Sequence, residues 1–138
     1  MSEESTAPDP VEPTRRIFEA ANLRDFDAMM SHFAPGAVWE TTVLGTFEGL
    51  AAIRGFQEDW SATYEELEFE PEEIVDLGNG VAFAIARQSG RLVGVSGHVQ
   101  MRYVLVAIWV DGMIERMWYY DDIDEGRTAA ERLAEERG

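Results

Sequence analysis

Two residue types that carry much of protein chemistry are absent from this chain of 138 residues, and a third is scarce. It has no cysteine, which excludes disulfides, thiolate nucleophiles, iron–sulfur clusters and cysteine-type zinc sites. It has no lysine, which excludes Schiff-base chemistry, lysine-bound pyridoxal phosphate and a phosphate-loop lysine. Its two histidines, His32 and His98, are too few for a three-histidine zinc site within one chain. We therefore predict no metal and no cofactor.

Positive charge is also scarce, because 11 arginines face 27 acidic residues and the net charge is −16. Such a chain lacks the clustered cationic face that binds a nucleic-acid backbone or an anionic membrane surface. No apolar run approaches the length of a membrane span, and the acidic start has no apolar signal segment. The sequence predicts a soluble, cytoplasmic protein with neither nucleic acid nor membrane as partner.

Composition divides the chain into one domain with a charged segment at each end. Residues 1–8 are predicted to be a disordered acidic tail, residues 9–130 a single domain, and residues 131–138 a charged C-terminal tail. Within the domain, apolar residues first recur at helical spacing and later with a period of two. Helices followed by a mostly antiparallel sheet with hairpins are an α+β pattern.

Turn and capping signals mark the ends of the predicted elements. Asp111-Gly112 is a strong hairpin signal between a long strand and the last strand. An aspartate can cap a helix through its side chain, and a glycine often precedes one. Three helices are predicted to begin near Asp9, Asp25 and Gly49.

Polar side chains interrupt three strands that are otherwise apolar. Alternate residues of a strand share a face, so each strand presents its polar residues on one side. If the three faces coincide, they border a concave apolar surface with a few convergent polar groups, which is typical of a small-molecule pocket. The polar residues on these faces are Arg87, His98, Gln100, Arg102, Tyr119 and Asp121.

Ordinary structural roles compete with this interpretation. Strand arginines such as Arg87 and Arg102 are commonly solvated or held in salt bridges on an outer face. His98 follows a glycine at the start of a strand, which favours a rim position. Asp121 opens an acidic run and is a candidate cap for a following helix. The tryptophans more often fill a core or an interface than contact a ligand.

Four segments resemble the nuclear-transport-factor-2-like superfamily, in its SnoaL-like and ketosteroid-isomerase-like branches. They are RRIFEAANLRDFDAMMSHFAPGAVWE, GTFEGLAAIRGF, NGVAFAIARQSGR and VDGMIERMWYYDDIDEG. The resemblance implies a cone-shaped α+β barrel, with three N-terminal helices packed on a curved, mostly antiparallel sheet. It also implies a homodimer through the outer face of the sheet and a hydrophobic small molecule in the cone. The substrate-binding residues implied are Ile17, Trp39, Thr41, Phe56, Trp60, Phe83, Ile85, Arg102, Val104, Val106 and Met117, and the strand alternation adds Gln100 to them.

The catalytic residues of these branches are not reproduced in this sequence. The tyrosine and the two aspartates of ketosteroid isomerases would fall at Ile17, Thr41 and near Val106. Limonene-epoxide-hydrolase-like members use an Arg-x-Asp pair whose aspartate is replaced here by Ser89. The last-strand aspartate of these hydrolases and of SnoaL-like cyclases is replaced by Tyr119.

Asp121, two residues after Tyr119, is the acid that remains on this strand face. It could carry a proton while Tyr119 donates a hydrogen bond to a developing oxyanion, and Arg87 and His98 complete the candidate catalytic set. We predict a cofactor-independent acid/base enzyme of isomerase, cyclase, dehydratase or hydrolase type acting on a hydrophobic oxygenated substrate. The alternative is a non-catalytic ligand-binding or dimeric accessory module. Burial of Asp121 beside Tyr119 would favour the enzyme, and an outward helix-capping Asp121 would favour the module.

Overall fold

The computed structural model describes residues 9–42 and 44–138, so the predicted tail at residues 1–8 lies outside the described residues. Within the described ranges the chain forms four α-helices and six β-strands. The helices are α1 (Val11–Asn22), α2 (Phe26–Met30), α3 (Leu50–Ala62) and α4 (Ile123–Arg137). The strands are β1 (Phe33–Thr41), β2 (Thr46–Glu48), β3 (Tyr64–Gly78), β4 (Val81–Leu92), β5 (Val99–Val110) and β6 (Met113–Tyr120).

The six strands form one open sheet in the order β2-β1-β6-β5-β4-β3. β1 and β6 run parallel, and all other neighbouring strands run antiparallel. The predicted α+β class is therefore confirmed, and the sheet is mostly antiparallel. The prediction of a barrel is corrected, because β2 and β3 are free edges and the sheet does not close. The fourth helix, at the C-terminal end, also extends the predicted set of three.

The helices lie on opposite sides of the sheet. Helices α1, α2 and α3 pack on the side that we call the inner face, which presents Ala82, Ala84 and Ala86 of β4. Helix α4 packs on the outer face, where Phe83 and Ile85 are buried. Alternation along β4 thus places small side chains under the N-terminal helices and large ones under α4.

The starts of the N-terminal helices agree with the capping signals. Asp25 caps α2, since its side chain accepts a hydrogen bond from the Ala28 backbone N–H at 3.1 Å. Gly49 precedes α3 with a φ of 88°, a left-handed conformation that suits glycine. Asp9 lies just before α1 and its carboxylate accepts from the Val11 N–H at 2.9 Å. All three helices therefore begin within two residues of the predicted positions.

Helix α4 begins at a cap that is one residue later than the candidate cap, Asp121. The side chain of Asp122 accepts a hydrogen bond from the Glu125 N–H at 2.9 Å, which satisfies a free donor of the first turn. The helix includes the charged residues up to Arg137, and Ala130 and Ala134 are buried against the outer face.

The hairpin between β5 and β6 contains a register shift that decides which side chains face inward. Asp111 and Gly112 both have positive φ, as the predicted two-residue turn requires. Next to Trp109 the register shifts by one residue, so that Tyr119 pairs with Leu105. Without this bulge, Tyr119 would pair with Val104. Since side chains alternate with a period of two, one extra residue exchanges the faces of β5 relative to the end of β6.

Candidate functional site

A cavity of about 300 Å³ lies between the inner face of the sheet and the N-terminal helices. This volume falls at the lower end of the range for small-molecule sites. Its wall is almost entirely apolar and includes seven aromatic side chains. The lining residues are Ile17, Phe18, Ala21, Met29, Trp39, Thr41, Leu44, Phe56, Gln57, Trp60, Phe69, Gln88, Met101, Tyr103, Leu105, Met117, Tyr119 and Asp121.

Trp39 of β1 anchors one part of the wall. Its ring stacks on Phe33 with the centroids 6.0 Å apart and meets Phe56 of α3 edge-on at 5.9 Å. The Trp39 Nε1–H is buried and has no hydrogen-bond partner among the described residues. Phe56 also stacks on Phe47 at 4.3 Å. This run of rings packs β1, β2 and α3 against one another at that side of the cavity.

A buried polar network supports the part of the wall formed by α3 and β4. Gln88 is only 4% exposed, and its Oε1 accepts a hydrogen bond from Trp60 Nε1 at 3.0 Å. Its Nε2 donates to the Tyr64 hydroxyl at 3.0 Å. The Gln88 amide is thereby used within the protein, and it orients the Trp60 ring along the cavity. Gln57, the other buried glutamine in the lining, makes no side-chain hydrogen bond with the described residues.

Helix α1 is held over the sheet by a second polar contact. The Asn22 side chain donates to the Phe69 carbonyl at 2.9 Å and accepts from the Phe69 N–H at 2.6 Å. Both backbone groups lie on the free edge of β3, and the Asn22 amide therefore provides the hydrogen-bond partners that no neighbouring strand supplies. The contact fixes the end of α1 beside the Phe69 ring, which lines the cavity.

Tyr103 and Tyr119 form a stacked pair on the inner face, with ring centroids 5.3 Å apart. Burial raises the pKa of Tyr103 far above its ordinary value, and the neighbouring Tyr119 adds to this. Burial also raises the pKa of Tyr119, with contributions from Asp121 and Tyr64. Both side chains are therefore neutral near pH 7 and can donate hydrogen bonds. Neither hydroxyl has a hydrogen-bond partner among residues 9–42 and 44–138, and neither is sealed from open space.

The mouth of the cavity is marked by the lining residues that are exposed, which are Leu44, Met101 and Asp121. Thr41 also lies here, but its hydroxyl donates to the Gly45 carbonyl and accepts from the Leu44 N–H, so the turn uses it. Two arrangements were predicted for Asp121, burial beside Tyr119 or an outward position as a helix cap, and the structure shows part of each. It lines the cavity beside Tyr119 and does not cap α4, yet its side chain is exposed.

The described lining residues carry one negative charge and no positive charge. Asp121 is the sole charged residue of the lining, and none of the described arginines or histidines belongs to it. Among the described residues, no cluster of three or more histidine, aspartate or glutamate side chains could hold a metal ion. In the same ranges, no helix has the length and apolar character needed to span a membrane.

The structure brings eight of the predicted site residues together at the cavity. They come from α1, β1, α3 and the end of β6, which are four separate parts of the chain. They are Ile17, Trp39, Thr41, Phe56, Trp60, Met117, Tyr119 and Asp121.

The predicted faces of β4 and β5 are corrected by the structure. Phe83, Ile85, Val104 and Val106 are buried on the outer face, in the cluster with α4. The strands do pair these residues with one another as the alternation predicts, but they lie on the side opposite Tyr119. The bulge in the β5–β6 hairpin is the physical reason, because it exchanges the two faces of β5 relative to Tyr119.

The polar residues predicted on those strands also lie away from the cavity. Arg87 and Arg102 both pair with Glu72, each at 2.8 Å. Gln100 is exposed, and the exposed His98 lies 3.2 Å from Glu66. The structure therefore places Arg87 and His98 outside the group that contains Tyr119 and Asp121.

Several lining residues were not identified from the sequence. A usable signal was the alternation of alanines along β4, because a sheet face that carries small side chains leaves room for a cavity beneath helices. Gln88 continues the alanine side of β4, and the antiparallel pairing with β5 then adds Met101, Tyr103 and Leu105. The residues missed include Phe18, Gln57, Phe69, Gln88, Met101, Tyr103 and Leu105.

Comparison with known proteins gives a family and a set of structural neighbours. The family model of the SnoaL-like domain matches residues 14–117. No curated protein matches the chain in sequence. A hypothetical protein with a ketosteroid isomerase-like fold from Catenulispora acidiphila is 15% identical, with a TM-score of 0.74 over 86% of this chain and 92% of that one.

Two further solved structures are similar over nearly their whole length. TerC is 18% identical, with a TM-score of 0.71 over 91% of this chain and 97% of its own. A proposed polyketide cyclase from Sinorhizobium meliloti is 26% identical, with a TM-score of 0.64 over 85% of this chain and 98% of its own.

Proposed function

Because the chain belongs to the SnoaL-like domain family, whose model matches residues 14–117, we propose that it binds an apolar, oxygenated small molecule in the inner-face cavity. The observation that carries this proposal is the stacked pair Tyr103 and Tyr119. Both are neutral donors without a partner among the described residues, and they face a largely apolar cavity. Buried polar groups generally have partners, and a ligand oxygen would supply one.

Two structural neighbours support small-molecule binding by this fold. The Catenulispora acidiphila protein was solved in complex with trimethylamine, and TerC was co-crystallised with polyporic acid. Fold alone does not assign a ligand to this chain. The aromatic wall, and two hydroxyls that have no partner within the described part of the chain, are its own basis for the proposal.

We further propose that the bound molecule undergoes proton transfer without a cofactor. Asp121 and Tyr119 lie side by side at the cavity, and the Asp121 carboxylate contributes to the raised pKa of Tyr119. The carboxylate would take a proton from a carbon next to a carbonyl, while the Tyr119 hydroxyl donates to the oxygen that becomes negative. Arg87 and His98 lie elsewhere and take no part in this version of the mechanism.

The exposure of Asp121 favours the alternative, a non-catalytic ligand-binding module. An exposed carboxylate stays in contact with water, whereas proton transfer in enzymes commonly takes place in a site from which water is excluded. The homodimer through the outer face of the sheet stays a prediction. Helix α4 covers the part of that face formed by β4 and β5.

Binding is tested with α-tetralone, an apolar cyclic ketone, by calorimetry and thermal unfolding. We expect it to raise the melting temperature of the wild-type protein, because a ligand of the folded state stabilises it. Tyr103→Phe should weaken binding by about fivefold, which corresponds to roughly 1 kcal/mol for one hydrogen bond.

A cavity-blocking variant and a matched control localise the binding. Ala21→Phe places a ring in the cavity and should abolish binding, whereas Ala52→Phe adds the same ring on the exposed side of α3 and should not. Binding that survives Ala21→Phe would place the ligand elsewhere, and no binding to the wild type would contradict the proposal for this ligand class.

Catalysis is tested by deuterium exchange of the α-protons of α-tetralone, followed by NMR. The wild type should accelerate exchange, and Asp121→Asn should reduce the acceleration by about 10²-fold or more. Tyr119→Phe should reduce it less than Asp121→Asn does. Binding without accelerated exchange would favour the non-catalytic module.

A further inference from the structure

From the charge pattern of the cavity, we infer that it prefers a positively charged apolar ligand, such as a substituted ammonium, over an acid of the same shape. The charged group would lie at the mouth, beside Asp121. This inference rests on the proposed binding function and not on the proposed acid/base role of Asp121. It names the chemical class of ligand that the same cavity takes.

The described lining contains no positively charged side chain that could form an ion pair with an anionic ligand. None of the described arginines belongs to the cavity lining, and several are held in ion pairs elsewhere. Arg87 and Arg102 share Glu72 on the outer face, Arg116 pairs with Glu40, and Arg54 pairs with Asp27 and Glu58. A carboxylate entering the cavity would lose hydration without gaining an ion pair, which is costly.

A positive charge, in contrast, meets two favourable features. Asp121 is the one ion in the lining, and it stands at the mouth, where a charged group can keep part of its hydration. Seven aromatic rings form the wall, and the faces of such rings attract cations. A ligand with an apolar body in the cavity and an ammonium group at the mouth would contact both the aromatic wall and Asp121.

The charge of the whole chain acts in the same direction. A net charge of −16 produces a negative potential around the molecule, which raises the local concentration of cations and repels anions. This long-range contribution weakens as salt increases, whereas contacts within the cavity are screened much less. Salt therefore separates the two contributions.

Three probes of nearly the same shape test the preference. They are benzyltrimethylammonium, the neutral 2-methyl-1-phenylpropan-2-ol and the anion 2,2-dimethyl-3-phenylpropanoate. Their affinities are measured by calorimetry at neutral pH in 0.15 M NaCl. We expect the cation to bind at least tenfold more tightly than the anion and about threefold more tightly than the alcohol.

Asp121→Asn identifies the local contribution. We expect this variant to bind the cation about two- to fivefold more weakly, as for an exposed ion pair, and to lower the affinity for the cation more than the affinity for the alcohol. Asp59→Asn is the matched control, because it removes one exposed negative charge from α3, away from the cavity lining. Thermal unfolding of both variants checks that they fold.

The outcomes distinguish this inference from the function on which it rests. Alcohol binding together with equal affinities for cation and anion would overturn the charge preference and leave the binding function intact. An anion that binds more tightly than the cation would also overturn it, as would equal effects of Asp121→Asn and Asp59→Asn. Failure of all three probes to bind would count against both proposals.

Discussion

His32 is a residue whose environment makes stability depend on pH. It lies between α2 and β1 and is partly buried. Burial lowers its pKa below the ordinary value of 6.5, and the positive charge of Arg16 lowers it further. The folded state therefore binds this proton less readily than the unfolded state does.

We predict that His32 makes the protein less stable as the pH falls. The unfolded state binds the proton near pH 6.5 and the folded state only at lower pH, so protonation favours unfolding between the two values. The free energy of unfolding, measured with urea, should fall from pH 7.5 towards pH 5. In His32→Asn that fall should be smaller, and an identical pH profile for the two proteins would contradict the prediction.

The packing of α4 on the sheet depends on a close approach at Gly126. A Cβ atom at this position would stand 2.7 Å from the Cβ of Val104, which is fully buried. Such a distance requires the helix or the strand to move. Gly55 of α3 is different, because a Cβ there would meet no atom within 4 Å. The two helical glycines therefore form a matched pair.

Gly126→Ala and Gly55→Ala should change stability in opposite directions. At Gly126, overpacking of about 1–3 kcal/mol outweighs a gain in helix propensity of up to about 1 kcal/mol, so the free energy of unfolding should fall. At Gly55 the gain in helix propensity acts alone and should raise the free energy of unfolding by about 0.5–1 kcal/mol. Urea unfolding measures both, and equal changes in the two variants would refute the close contact of α4.

At the scale of the whole molecule, the excess of 16 negative charges opposes the folded state, because folding brings like charges together. Salt bridges such as Arg91–Glu65 and Arg54–Glu58 lie at the partly exposed surface, so they offset only part of this repulsion. The balance between repulsion and pairing is measurable, because salt screens both.

We predict that NaCl stabilises the protein. Between 0.02 and 0.3 M salt the screening length shortens several-fold, and the melting temperature should rise by a few degrees, or about 1 kcal/mol. Glu68→Gln removes an exposed acid from β3 and should give a smaller response to salt. A melting temperature that falls with added salt would show that the ion pairs outweigh the repulsion.

Local signals in the sequence were sufficient for the α+β class, for the helix starts at Asp25 and Gly49, and for the turn at Asp111-Gly112. Each of these depends on residues that are near one another in the chain, such as a cap and its first helical turn. The inward positions of Trp39 and Met117 were also predicted correctly. These two residues lie opposite each other in the parallel pair of β1 and β6.

Only the tertiary structure decided which face of β4 and β5 borders the cavity. The alternation showed that Phe83 and Ile85 share a side, but not whether α1 or α4 covers that side. One bulged residue in the β5–β6 hairpin placed Tyr103 beside Tyr119 on the inner face and put Val104 on the outer face, under α4. Period-two patterns carry no record of such a shift, because a strand that slips by one residue keeps its alternation and exchanges its two faces.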